Sequence, residues 1–240
     1  MPSKPESHYL SPTPHVPNSV LPVLIYRSAL PSSPSPESTK DYIETNHWIK
    51  GGQWKAYPSH HFHSVTHECY AVFKGRSTLL LGRGPLDSKD GGIEVELAEG
   101  DVIVLPVRSS SIIYIQNFIP LSRMSKRLSR RASLSSNRGI WETHTDILPL
   151  QAGVSHCSIS SHDDYEYLGL YPEGSPHWDN NFCKAGPEET AEKAATAKGI
   201  PVPEWDPVFG KDGPLVEIWG KAWGGNVVAH EIMEDIEPAQ

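Results

Sequence analysis

"SHHFHSVTHECYAVFKG", residues 59–75, places His60, His61, His63 and His67 within eight positions and follows them directly with Glu68. In an extended strand alternate side chains share a face, so His61 and His63 project together while Phe62 points away. Two imidazoles on one face can bind one ion, and "SVTH" is the right length for a turn that returns Glu68 to that ion. From Glu68 the inward face continues through Tyr70 and Val72, with Gly75 ending the run. On local pattern alone, a metal half-site and a set of hydrogen-bonded core or surface histidines are equally good readings.

The surrounding chain is organised as short apolar runs. "LPVLIY" (21–26), "CYAVFKG" (69–75), "STLLLG" (77–82), "GIEVELAEG" (92–100) and "DVIVLP" (101–106) read as strands, separated by Gly, Pro and Asp punctuation. "GVSHCSISS" and "YEYLGLYP" add two more beyond residue 151. Two helices stand out. "SPESTKDYIETN" (35–46) offers Ser35 as N-cap with Pro36 at the first helical position, and "GPEETAEKAATAKG" (186–199) has Pro187 at its start and Gly199 as its stop. Many short strands with few helices predict an all-β sandwich or barrel.

Composition narrows the function classes. The net charge of −8 argues against a nucleic-acid surface. The longest apolar runs are far too short to span a bilayer, and no secretory signal is visible. Cys69, Cys157 and Cys183 form no even framework and no CxxC pair, as expected of free thiols in a reducing, cytoplasmic setting. Residues 1–17 are proline-rich and read as a disordered tail; 18–225 read as a single domain, and 226–240 as a second tail.

Segment 107–151 departs from this pattern. It holds seven Lys/Arg, two acids and nine serines, a net +5 that leaves −13 on the rest of the chain. It begins with Val107, whose codons all start GT, and ends with Gln151, one of whose codons ends AG. The expectation is an in-frame intron retained in the sequence, the alternative being a 45-residue surface insertion in which "RRAS" (130–133) resembles a basophilic kinase target.

Removing that segment brings a second motif into register. His61, His63, Glu68 and Gly75 have the spacing of the first cupin motif, HxH, four residues, E, six residues, G. Gly100, Pro106, Gly153 and His156 then fit the second, G, five residues, P, any, G, two residues, H. Lys55 stands where the family has a glycine, and Ser160 where it often has an asparagine. With "LPVLIYRSALP", "LGLYPEG" and "WDPVFGKDGPLVEIW" (205–219), most of residues 18–220 resembles the small YjlB-like cupins of bacteria and fungi.

The resemblance implies a single cupin double-stranded β-helix, or jelly roll, with a few short peripheral helices and one divalent transition metal on His61, His63, Glu68 and His156. Fe, Mn, Ni, Cu and Zn all suit three imidazoles and one carboxylate. It implies a small-molecule ligand or substrate, no nucleic-acid or membrane partner, and homodimerisation through barrel edges. The first functional expectation is a metal-dependent enzyme, such as a dioxygenase or isomerase, acting on a small organic acid, sugar derivative or enol. The alternative is a non-enzymatic metal-dependent binding or sensing protein, and a third reading is a metal-free sugar epimerase. Catalytic residues are unassigned.

Other residues carry weaker expectations. His60 and His67 have the wrong parity for the ligand set. Cys69 and Cys157 should face away from the metal, and Tyr70 shares the face of Glu68. His162, Asp163 and Asp164 read as a polar turn, and His177 with Asp179 as a loop. The Trp205–Trp219 region is expected to close an edge or end of the barrel.

Overall fold

Seven antiparallel strands form the molecule in the computed structural model, which describes residues 4–107 and 152–222. They are β1 (Glu6–His8), β2 (Val23–Tyr26), β3 (Trp48–Trp54), β4 (Glu68–Leu81), β5 (Ile93–Ala98), β6 (Val102–Leu105) and β7 (His156–Pro172). The order across the sheet is β1-β2-β6-β4-β7-β3, with β5 also paired to β4. The retained-intron or insertion expectation for 107–151 concerns residues that, beyond Val107, lie outside the described ones. The same holds for the expected tail 226–240.

Two long strands make this an all-β jelly roll. The first half of β4, Glu68–Ala71, lies between β6 and the end of β7, where Cys69 faces Leu170. Its second half, Arg76–Leu81, lies between β5 and the beginning of β7, where Leu81 faces His156. β4 and β7 therefore belong to both halves of the sheet. The "CYAVFKG" and "STLLLG" runs, expected as separate strands, are one strand, and Gly75 bends it without ending it. Gly75 has φ +67°, and a Cβ there would sit 2.5 Å from the Asp163 carbonyl oxygen. Across from it Asp163 and Asp164 bend β7 with φ of 58° and 52°. The expected polar turn is thus a kink within one strand.

Side-chain alternation divides most apolar residues of the strands between two cores, and a third cluster joins Val16, Phe62, Val107, Ala152 and Cys183 to Ala194 and Ala197. Tyr70, Val72, Ile103, Leu105, Val23 and Ile25 share one core, inside the roll, with residues of the second half such as Leu79, Leu81 and Tyr167. Cys69, Ala71, Phe73, Val102, Val104, Leu24 and Tyr26 point the other way, into a second core with Ile43, Trp48, Leu215 and Trp219. Burial on both faces explains why "LPVLIY" and "DVIVLP" are continuous apolar runs.

Helices pack around the sheet, the first on the outer core through Ile43 and the second on the third cluster through Ala194. α1 (Pro36–Glu44) starts at Ser35, whose hydroxyl accepts the Ser38 N–H at 3.1 Å, a cap that contributes ~1 kcal/mol. α2 (Pro187–Thr196) runs into a 3₁₀ turn, Ala197–Gly199. Residues 214–222 are also helical. The 205–219 region, expected at an edge or end of the barrel, instead packs on the outer face of the sheet. Buried Asp206 pins it there, accepting hydrogen bonds from Tyr26 OH at 2.6 Å and from the N–H groups of Val208 and Leu215.

The expectation of a disordered tail over residues 1–17 needs correcting for residues 4–17. β1 pairs with β2, and Leu10 and Val16 are buried. Asn18 anchors the segment, its side-chain amide donating to the carbonyls of Ser11 (2.6 Å) and Gly82 (2.8 Å). A few buried anchors offset the low apolar content that suggested disorder. Among the described residues no helix is long and apolar enough to cross a membrane.

Candidate metal centre

Three separate parts of the chain supply the four expected ligands. Glu68 opens β4 and His156 opens β7. His61 pairs with His156 through two backbone hydrogen bonds, His61 N–H to His156 O (3.2 Å) and His156 N–H to His61 O (2.9 Å). His61 and Phe62 form isolated bridges, to His156 and Asn181 respectively, where a regular strand was expected. Backbone closure at the far side of 108–151 brings His156 into place, since Val107 pairs with Gly153.

Each of the four side chains is between 2% and 5% exposed, and their ligand atoms all lie within 4.8 Å of one another. Glu68 Oε2 is 2.9 Å from His63 Nε2 and 3.2 Å from His156 Nε2. The rings of His61 and His156 have centroids 4.2 Å apart. Every imidazole is oriented from behind through Nδ1. His61 donates to the Ser59 carbonyl (3.0 Å), His156 to the Val154 carbonyl (3.0 Å) and His63 to the Asp179 carbonyl. A carbonyl can only accept, so Nδ1 carries the proton; on His61 and His156 Nε2 is left with its lone pair toward the cluster, whereas His63 Nε2 is hydrogen-bonded to Glu68 Oε2 and becomes a ligand on giving up its proton.

The donor set fits a divalent ion. His156 Nε2 is buried and makes no hydrogen bond despite its closeness to Glu68. An orphaned buried acceptor of this kind is costly, and a cation between the four groups would satisfy it. Two of the four groups, His61 and Glu68, already hold the protonation state that a cation requires. Burial, followed by the neighbouring His156 and His63, pushes His61 down to about 3, so it stays neutral. Burial alone would also depress His63, but the Glu68 carboxylate outweighs it and raises His63 above the usual imidazole value. Burial opposes ionisation of Glu68, yet His63 and His156 hold it well below the usual carboxylate range.

Two residues that tune this cluster were not anticipated from the sequence. Tyr171 OH donates to Glu68 Oε1 at 2.6 Å; burial and the Glu68 charge raise its pKa, so it remains a donor. Asp179, expected only as part of a loop, supplies the carbonyl behind His63. Its carboxylate accepts from the Ser64 N–H (2.7 Å), the Ser64 hydroxyl (2.6 Å) and the Asn181 amide (2.6 Å). Alternation along "YEYLGLY" was a usable signal for Tyr171, because it puts Tyr165, Tyr167, Gly169 and Tyr171 on one face.

The other candidates lie outside the cluster. His60 turns to the Arg83 carbonyl at 3.0 Å. His67 is buried in the outer layer, where Nδ1 accepts the Val107 N–H (2.9 Å), Nε2 donates to the Pro201 carbonyl (3.0 Å) and the ring packs on Trp219. Cys69 packs in the outer core and Cys157 is buried. Tyr70 borders the site, its ring 5.5 Å from His156. His162 is exposed, and His177 stacks on Trp178.

A cavity of about 180 Å³ opens beside His61, His63 and Glu68, lined also by Trp54, Tyr57, Tyr70, Tyr167, Tyr171, Trp178 and Asn180. A larger cleft, about 470 Å³, lies beside His67, Glu204 and Trp205 and touches none of the four ligands. Of the two, the smaller cavity is the one that touches the candidate ligands.

The chain is 25% identical over 201 residues to the uncharacterized protein YjlB of Bacillus subtilis (strain 168), a match that covers 83% of this chain and 87% of that protein. The similarity to YjlB therefore runs through nearly the whole fold and is not confined to the histidine cluster. No family model matches the chain, and no solved structure matches it.

Proposed function

We propose that the protein is a metal-binding cupin that holds one divalent transition metal on His61, His63, Glu68 and His156 and acts as a metal-dependent enzyme on a small organic acid, sugar derivative or enol. The observation that carries this reading is the convergence of four buried ligand atoms, with the Nδ1 of all three imidazoles engaged by backbone carbonyls and Nε2 left toward the cluster. Three imidazoles and one carboxylate suit Fe, Mn, Ni, Cu or Zn. Such an ion supplies Lewis-acid polarisation of a bound oxygen or a site for oxygen chemistry.

The residues around the cluster perform the remaining tasks. Tyr171 holds Glu68 by one oxygen, so that Oε2 is the atom turned to the histidines. Asp179 fixes the ring of His63 and the backbone of Ser64. The aromatic walls frame a site only large enough for a small ligand.

Protein loaded separately with Fe(II), Mn(II), Ni(II), Cu(II) and Zn(II) tests the reading. Elemental analysis should find about one ion per chain, and one of the loaded forms should consume oxygen or convert a small hydroxy- or keto-acid. Folded protein that takes up no ion would remove the metal reading. Tight ligand binding with no turnover by any loaded form would replace the enzyme with a binding or sensing protein.

A further inference from the structure

The aromatic wall beside the candidate metal centre is built on glycines. β3 carries a bulge between Lys50 and Gly52, so Gly51 has no partner in β7 while Gly52 pairs with Gly169. A Cβ on Gly52 would come within 2.4 Å of the six-membered ring of Trp54, and one on Gly169 within 2.3 Å. The Trp54 indole therefore rests on bare backbone at both positions. Gly51 plays the matching part for the opposite wall, where a Cβ would lie 2.4 Å from the Tyr171 ring and 2.8 Å from that of Trp178.

The two walls differ in what they leave open. Trp178 is stacked against two other rings, Tyr171 (4.6 Å, 7°) and His177 (4.0 Å, 20°). Trp54 meets Trp178 edge-on at 6.1 Å and is itself only partly buried. It also lies tilted against Tyr167 (6.1 Å, 35°), and with its indole on the glycine pair it lines the cavity.

Charge sets the second constraint. None of the cavity-lining residues is Lys or Arg, and the non-ligand polar groups are tyrosine hydroxyls, indole N–H groups and Asn180. A divalent ion and the Glu68 carboxylate together leave one net positive charge to be balanced. A second negative charge on the ligand would be desolvated with no counter-charge in the lining, which is costly.

Resting on the metal reading above, we infer that the cavity binds a planar, conjugated oxygen chelator carrying no more than one negative charge, its ring laid against Trp54 and its oxygens toward the cluster of His61, His63, Glu68 and His156. Phosphorylated and polycarboxylate ligands are the classes that this lining rejects.

Co(II)-loaded full-length protein provides the test, since cobalt's visible absorption reports its ligands. Tropolone is the planar monoanionic probe, acetohydroxamate a monoanionic chelator without a ring, and oxalate a dianionic one. Tropolone should bind at least about tenfold more tightly than either, and Trp54→Leu should reduce that advantage by about tenfold, with affinity expressed per bound cobalt. Oxalate binding as tightly as tropolone, or an unchanged tropolone affinity in Trp54→Leu, would overturn the inference and leave the metal site standing. Failure of folded protein to take up Co(II) would remove both.

Discussion

Tyr171 and Glu68, 103 positions apart in the chain, are joined by a 2.6 Å hydrogen bond in which the phenol donates to the carboxylate oxygen facing away from the histidines. Tyr171→Phe removes that donor and leaves a buried carboxylate oxygen unsatisfied. Metal affinity should fall by about 10- to 100-fold, and unfolding free energy by ~1–3 kcal/mol. Competition against a chromophoric chelator and calorimetry measure the two; unchanged affinity would mean that Tyr171 does not orient Glu68.

Alanine substitutions should separate the ligands from the histidines beside them in sequence. His61→Ala, His63→Ala, Glu68→Ala and His156→Ala should each cut metal content sharply, and His60→Ala should leave it intact. His67→Ala should lower the melting temperature, because it strips the Val107 N–H and the Pro201 carbonyl of their partner, yet folded molecules should keep their metal. Equal metal loss at His67 and Glu68 would contradict the assignment.

Metal binding should release a proton from His63. In the metal-free protein Glu68 keeps the His63 pKa above its ordinary value, whereas His61 is already neutral and Glu68 already ionised. Affinity should therefore rise with pH through the His63 titration and level off above it, with proton release declining over the same range. Calorimetry in buffers of different ionisation enthalpy reads the release. An NMR titration placing metal-free His63 below 6.5 would refute this account.

Gly153→Ala should be among the most damaging single-methyl additions in the chain. A Cβ there would lie 2.0 Å from the His63 carbonyl oxygen, a backbone atom that cannot rotate away. The cost should exceed the ~1–3 kcal/mol usual for overpacking, and the displaced backbone should weaken metal binding. Gly186→Ala, where a Cβ would meet nothing within 4 Å, is the control.

The legible parts of this fold are those written locally. α1 could be read from Ser35 and Pro36, α2 from Pro187, and the strand segments from apolar runs between glycines. His61, His63, Glu68 and His156 could be read from spacing once 107–151 was set aside. The continuity of β4 and β7 could not. Gly75 and the Asp163–Asp164 pair have the composition of strand breakers, and only their facing positions in the folded sheet make them matching bends. Tyr171 and Asp179 escaped for a related reason, since their roles depend on contacts across 103 and 116 positions. Order in residues 4–17 rests on the Asn18 amide and a three-residue edge strand, too little for composition to register.

The hydrogen bond from the Val154 N–H to the Pro106 carbonyl, 3.3 Å, gives the junction around 107–151 a geometric meaning. Joined directly, Pro106-Ala152-Gly153-Val154 would be a four-residue β-turn whose closing bond is the one already present. Glycine would occupy its third position, where the His63 carbonyl leaves no room for a side chain. Backbone hydrogen bonds thus close the roll around the segment, with the His67 imidazole holding the Val107 N–H. Each doubling of the length connecting the two sides of this junction would cost the fold only ~0.6 kcal/mol in closure entropy.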